Sequence, residues 1–193
     1  MSDAGNEIEG KAAAGYRVLA RKYRPADFSS LIGQEPMVRT LTNAFSTGRI
    51  AQAWMLTGVR GVGKTTTARI LARALNYKRD EIYTPSVDLS VPGEHCKAIM
   101  EGRHVDVVEM DAASHTGIDD IREIIERVRY APVSARYKVY IIDEVHMLST
   151  SAFNALLKTL EEPPAHVKFI FATTEIRKVP VTVLSRCQRF DLR

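Results

Sequence analysis

The densest chemistry in the chain lies in Gly58-Val59-Arg60-Gly61-Val62-Gly63-Lys64-Thr65. This stretch fits G-x-x-x-x-G-K-S/T without a mismatch. Glycines let a backbone curl until successive N–H groups point into one concavity, and such a nest suits the β-phosphate of a nucleotide. Lys64 then sets a positive charge against the β- and γ-phosphates, and the Thr65 hydroxyl can hold Mg²⁺. A chance Gly-rich turn would lack the right flanks. Here Ala53-Trp54-Met55-Leu56-Thr57 precedes the loop, short and apolar like a buried parallel strand. Thr66 opens a helical run to Leu75, with Ile70 four before Ala74 and Leu71 four before Leu75. The phosphates would lie at a helix N-terminus, where the dipole favours anions.

Two further clusters suit the same chemistry. Asp143 and Glu144 follow the apolar run Val139-Tyr140-Ile141-Ile142. Beside a phosphate-binding loop, the first carboxylate helps hold the Mg²⁺ shell and the second orients or deprotonates an attacking water. Without that loop they would read as a solvated acidic pair. A carboxylate base favours a hydrolase over a kinase, whose acceptor brings its own hydroxyl. Thr173 and Thr174 end another apolar run, Val167 to Ala172. Either could bond the γ-phosphate or the water, Thr174 ahead of Thr173, although threonines also end strands for no chemical reason.

The elements that must position these groups alternate. Pro36 begins a helix with Val38, Leu41 and Phe45 on one face, and Gly48 stops it. The pattern lapses into an irregular insertion at about residues 77–95, which is loose or packs through Tyr77, Ile82 and Leu89. A short helix covers Cys96 to Glu101, and Val105 to Met110 reads as a strand. Gly117 leads into a helix with the stripe Ile118, Ile121, Ile125 and Val128. Ser149 caps the next helix, which carries Phe153, Leu156, Leu157 and Leu160. Pro180 starts a short helix to Leu184, and Cys187 to Leu192 is extended. This predicts an α/β domain with a mainly parallel five-stranded sheet flanked by helices. The three polar clusters then share the carboxyl edge of the sheet, where ligands collect. Met1 to Gly15 lacks an apolar period and reads as a disordered tail, so residues 16–193 form the domain.

Over 193 residues, 45% are hydrophobic and 26% charged, an ordinary globular composition. No run is apolar enough to span a membrane, and no signal-peptide core precedes the domain. Two cysteines, Cys96 and Cys187, fit a reducing compartment, so a cytoplasmic location is expected. The net charge of +4 permits nucleic-acid contact without requiring it.

Together, Gly58 to Thr65, Asp143-Glu144-Val145-His146-Met147-Leu148, Asn154 to Pro164 and Leu184-Ser185-Arg186-Cys187 resemble the AAA+ clamp-loader ATPases. Asp111-Ala112-Ala113-Ser114 adds to the likeness. It runs from about Val18 to Arg193 and takes in the bacterial replicative members of that family. The resemblance implies an ATP- and Mg²⁺-dependent motor within a ring-like pentamer that places a sliding clamp on primed DNA. It implies Thr174 as the γ-phosphate sensor and Arg186 as an arginine finger serving the neighbouring subunit. A guanidinium at that joint could instead pair with a carboxylate such as Asp191. It also places Tyr23, Arg24 and Pro25 near the nucleotide, where the residues alone read as a basic strap. His115 to Arg122 resembles the DNA-facing segment, but His115 and Gly117 stand where cations are expected. The family's four-cysteine zinc module retains only Cys96, near His95 and His104, so no zinc is expected. A helical lid, an oligomerising collar and the regions that reach the polymerase core are expected to lie outside these residues. The competing readings are a nucleotide-binding scaffold subunit without hydrolysis and another DNA-acting AAA+ motor.

Overall fold

Short apolar runs that bury side chains on both faces of a sheet decide the architecture. The structure, a computed structural model, describes residues 25–31, 33–114 and 118–193. The expected tail, Tyr23, Arg24, His115 and Gly117 lie outside those residues. The strands are β1 (Ala53–Thr57), β2 (Val107–Asp111), β3 (Lys138–Asp143), β4 (Val167–Thr173) and β5 (Gln188–Asp191). All pairs are parallel, in the order β2-β3-β4-β1-β5. The five-stranded parallel sheet expected from the sequence is therefore present.

Side chains leave successive strand residues on opposite faces. Trp54, Leu56, Val139, Ile141 and Ile170 enter one core, whereas Ala53, Met55, Tyr140, Ile142, Phe169 and Phe171 enter the other. The first core is covered by α1 (Glu35–Thr47), α2 (Lys64–Leu75) and α3 (Cys96–Met100). The second is covered by α4 (Ile118–Arg127), α5 (Thr150–Glu161) and α6 (Val181–Leu184). Full burial of a side chain such as Phe169 or Leu56 contributes about 1.5–3 kcal/mol. Helix α2 is buried over most of its circumference rather than along one stripe, because α1, α3 and the insertion close over its outer side. Gly48 ends α1 in the left-handed region at φ 73°. The Ser149 hydroxyl accepts from Ala152 N–H at the start of α5, as expected.

Several boundaries differ from the sequence reading. Strand β2 starts at Val107, not Val105, and Val105 is exposed. Asp106 stands just before the strand: its backbone O accepts Val139 N–H at 2.8 Å, and its buried carboxylate accepts the backbone N–H groups of Val133, Ser134 and Ala135. The inward side of α4 is Ile121, Ile124 and Val128, while Ile118 and Ile125 are only half-buried. In the irregular insertion, Tyr77 and Leu89 are buried, but Ile82 is exposed. Arg73 explains how this segment is held. Its guanidinium donates to Leu89 O at 3.0 Å and to Ala26 O, tying the insertion and the N-terminal strap to α2.

Candidate functional site

The glycine loop joins β1 to α2 at the carboxyl edge of the sheet. Gly61 and Gly63 adopt φ of +87° and +93°, where L side chains are strained, so glycine is required there by backbone conformation. Gly58 has a different reason. A Cβ on it would meet Val62 Cγ1 at 2.7 Å and Leu192 O at 3.2 Å. Val59, Arg60 and Thr65 are exposed, Val62 and Thr66 half-buried, and Lys64 buried. The Lys64 ammonium donates to Gly58 O at 2.9 Å and Val59 O at 3.0 Å, so the cation lies inside the loop's own curve. Thr67 fastens the turn from behind, its hydroxyl donating to Gly63 O at 2.7 Å.

Asp143 ends β3, two strands from β1, yet Thr65 Oγ1 donates to Asp143 Oδ2 at 3.1 Å across the end of β4. Adjacent ligands of an octahedral Mg²⁺ with bonds of 2.0–2.1 Å stand about 2.9 Å apart, so these two hard oxygens fit that ion. Glu144 follows in the left-handed region at φ 49°. This turn lets two consecutive carboxylates serve one edge, which an extended chain would prevent. Thr174 Oγ1 donates to Glu144 Oε2 at 3.1 Å. Thr173 behaves differently. It is fully buried, and its hydroxyl bonds His146 Nδ1 at 2.8 Å and accepts Glu175 N–H at 3.0 Å. Lys64, Thr65, Asp143, Glu144 and Thr174 thus gather at the ends of β1, β3 and β4.

Other named residues do not join this cluster. Arg186 precedes β5 at the opposite end of the sheet. The register pairs Trp54 with Gln188 and Thr57 with Asp191, so those three steps alone separate it from the loop by about 10 Å at 3.3 Å per residue. Its guanidinium meets Glu161 Oε1 at 3.3 Å, not Asp191. Asp191 is engaged by the Thr57 hydroxyl and Arg189, and the Thr57 bond chiefly holds its carboxyl below the usual range. Pro25 is half-buried, and no hydrogen bond among the described residues ties it to the glycine loop. His104 Nε2 and His95 Nδ1 lie 2.8 Å apart, and Cys96 Sγ accepts Gly93 N–H at 3.1 Å. Among the described residues, no group of three or more His, Cys, Asp or Glu could hold a metal.

Two features escaped the sequence reading. One is a cleft of about 390 Å³ lined by Gly33, Gln34, Met37, Thr40, Phe190 and Arg193. It lies along β5, and Leu192, between its lining residues Asp191 and Arg193, donates N–H to Thr57 O at 2.7 Å, next to Gly58. The other is His146, whose side chain is 3% exposed and whose Nε2 lies 3.4 Å from Glu144 Oε2 and 3.2 Å from Glu175 Oε2. Neither had a local signal, since each is assembled from distant segments.

The family described as DNA polymerase III, delta subunit, matches residues 33–193. The chain is 53% identical over 178 residues to DNA polymerase III subunit tau of Salmonella typhimurium, covering 92% of this chain and 27% of the relative. It is 50% identical over 177 residues to subunit gamma of Buchnera aphidicola, covering 92% of this chain and 48% of the relative. The chain therefore spans no more than about half the length of these relatives. A DNA polymerase III gamma subunit-related protein of Thermotoga maritima superposes with a TM-score of 0.59 at 22% identity, over 81% of this chain and 45% of that one. The RuvB Holliday junction branch migration motor of the same organism gives 0.58 at 19%, over 88% and 48%. At such identities these structures speak for the fold alone, an α/β domain built on a parallel sheet.

Proposed function

Because the chain belongs to the DNA polymerase III delta-subunit family, we propose that it is the ATP-binding and hydrolysing domain of a bacterial replicative clamp loader. The observation that carries the reading is the gathering of Lys64, Thr65, Asp143, Glu144 and Thr174 at one sheet edge. Lys64 exchanges the Gly58 and Val59 carbonyls for the β- and γ-phosphates. The nest of Gly58 to Thr65, with Thr66 in the first helical turn, presents N–H groups to the same phosphates. Thr65 and Asp143 hold Mg²⁺, which neutralises charge building on the phosphate oxygens. Glu144 takes the proton of the attacking water, and Thr174 steadies the γ-phosphate. The base and ribose extend beyond the phosphates, and the likeness to the clamp-loader ATPases puts Tyr23, Arg24 and Pro25 near the nucleotide.

Arg186 is too far from its own loop to serve it, which supports a finger acting on the next subunit. Its partners are the other loader subunits in a ring-like pentamer, the sliding clamp, primed DNA, and the polymerase core through regions outside this chain. Arg122 on α4 is exposed and suited to DNA phosphate. A cytoplasmic location accords with this role, and no helix among the described residues is long and apolar enough to cross a membrane. We hold that no zinc is bound, since His95 and His104 bond each other and Cys96 is turned to Gly93 N–H. The test is Glu144→Gln in the full-length protein assembled with its partners. ATP affinity is expected to hold while hydrolysis falls by roughly 10²–10⁴-fold. Hydrolysis within twofold of wild type would overturn the assignment.

A further inference from the structure

His146 is buried between the last residues of β3 and β4, where it touches neither the glycine loop nor the metal ligands. The Thr173 hydroxyl accepts Glu175 N–H at 3.0 Å and can donate its own proton to His146 Nδ1 at 2.8 Å. With Nδ1 accepting, the neutral ring carries its proton on Nε2. That nitrogen points between Glu144 Oε2 at 3.4 Å and Glu175 Oε2 at 3.2 Å. Lys178 balances the charge of Glu175 from outside at 3.0 Å, and its bond is the main reason the Glu175 carboxyl is held low. The Thr174 hydroxyl reaches the same Glu144 oxygen at 3.1 Å. The Thr174 hydrogen bond and the 3.4 Å approach of His146 Nε2 thus converge on Oε2, and among the described residues Oε1 has neither a hydrogen bond nor an ion pair.

A lone buried histidine is more often a satisfied core residue than a functional one. Here the ring's orientation is set by Thr173, a residue at the end of the strand that delivers Thr174. We propose that His146 is a positioning residue for Glu144: it holds Oε2 and turns Oε1 outward as the oxygen that receives the proton of water. Glu175 is its second acceptor and limits how tightly it draws Glu144 in. This rests on the reading of Glu144 as the base. The expected consequence is a defect in turnover without a defect in nucleotide binding, because His146 makes no contact with Lys64, Thr65 or the loop.

The experiment measures ATP affinity and kcat in the full-length, assembled protein for wild type, His146→Ala, His146→Gln and Glu175→Gln. Glutamine can place an N–H donor near the position of Nε2 and fills most of the ring's volume. His146→Ala is expected to lower kcat at least tenfold, with ATP affinity within twofold of wild type. His146→Gln is expected to recover most of that loss. Glu175→Gln, which removes the competing charge at Nε2, is expected to leave ATP affinity within twofold of wild type. If His146→Ala alone fails to fold, the comparison of His146→Gln with the donor-free isostere His146→Leu decides the same point. The inference is overturned if Ala or Leu turns over like wild type, if affinity falls together with kcat, or if Gln is no better than Ala. A wild-type protein that does not hydrolyse ATP would overturn the functional reading itself. Wild-type hydrolysis with a normal His146→Ala would overturn the positioning role alone.

Discussion

Replacing Asp106 with Asn changes one atom and should be costly. The Asp106 side chain lies in a residue of 0% exposure, and its oxygens accept Val133 N–H at 2.7 Å, Ser134 N–H at 2.8 Å and Ala135 N–H at 2.7 Å. An amide has one acceptor oxygen. If it keeps Ser134 and Ala135, its NH₂ faces the Val133 N–H, donor against donor. An unmade buried hydrogen bond costs about 1–3 kcal/mol, and bonds to a charged acceptor are worth more than those to a neutral one. Relief from burying a charge offsets part of this, which leaves about 3 kcal/mol. For a domain of this size each kcal/mol moves Tm by about 2–4 °C, so the melting point should fall by roughly 6–12 °C. Thermal and urea denaturation at pH 7 measure it. A shift under about 2 °C would refute the reasoning. Burial alone would raise the Asp106 carboxyl, but the backbone bonds outweigh it and hold it below its ordinary 3.8. A lowered carboxyl contributes stability above its unfolded value and loses it as pH falls through the folded one. The gap between wild type and variant should therefore hold near neutrality and close only in acid below about pH 4.

Gly63→Ala would place its Cβ in open space but at φ +93°, so strain rather than collision is the penalty. At about 1–2 kcal/mol, this should weaken ATP binding roughly tenfold, and unchanged affinity in a titration would show that the loop does not need the left-handed turn. Arg186→Ala, mixed with wild-type subunits in an assembly of defined order, should leave the variant's own ATP affinity intact. It should slow hydrolysis at the neighbouring site by roughly 10³–10⁵-fold, whereas a loss confined to its own site would rule out action in trans.

The glycine loop could be read from the sequence because its chemistry is local: eight consecutive residues, a strand before and a helix after. The strands β1, β3 and β4 could be read because each is a short apolar run that is largely buried, whereas β2 and β5 are only partly buried. What escaped depends on contacts between distant segments. Asp106 belongs to a strand by pattern, yet its side chain is claimed by backbone N–H groups 27 to 29 positions away, and pairing starts one residue later. The packed side of α4 includes Ile124 because α5 crosses it there, which helical spacing alone did not select between Ile124 and Ile125. His146 looked like one member of a motif until Thr173, 27 positions on, fixed its ring. The cleft by Gly33 needs Phe190 and Arg193 from the far end of the chain. Arg186 meets Glu161 rather than Asp191 because it precedes β5, while Asp191 ends that strand beside Thr57 and Arg189.

The central claim is that the Gly58 to Thr65 loop holds the phosphates of ATP with Mg²⁺ and that Lys64 is its key cation. Titration of a fluorescent ATP analogue into wild type and Lys64→Ala, with Mg²⁺ and with chelator, tests it most directly. Wild type is expected to bind saturably and with Mg²⁺ dependence, and Lys64→Ala at least tenfold more weakly, with the same melting point within a few degrees. Equal affinity in the two proteins would contradict that claim.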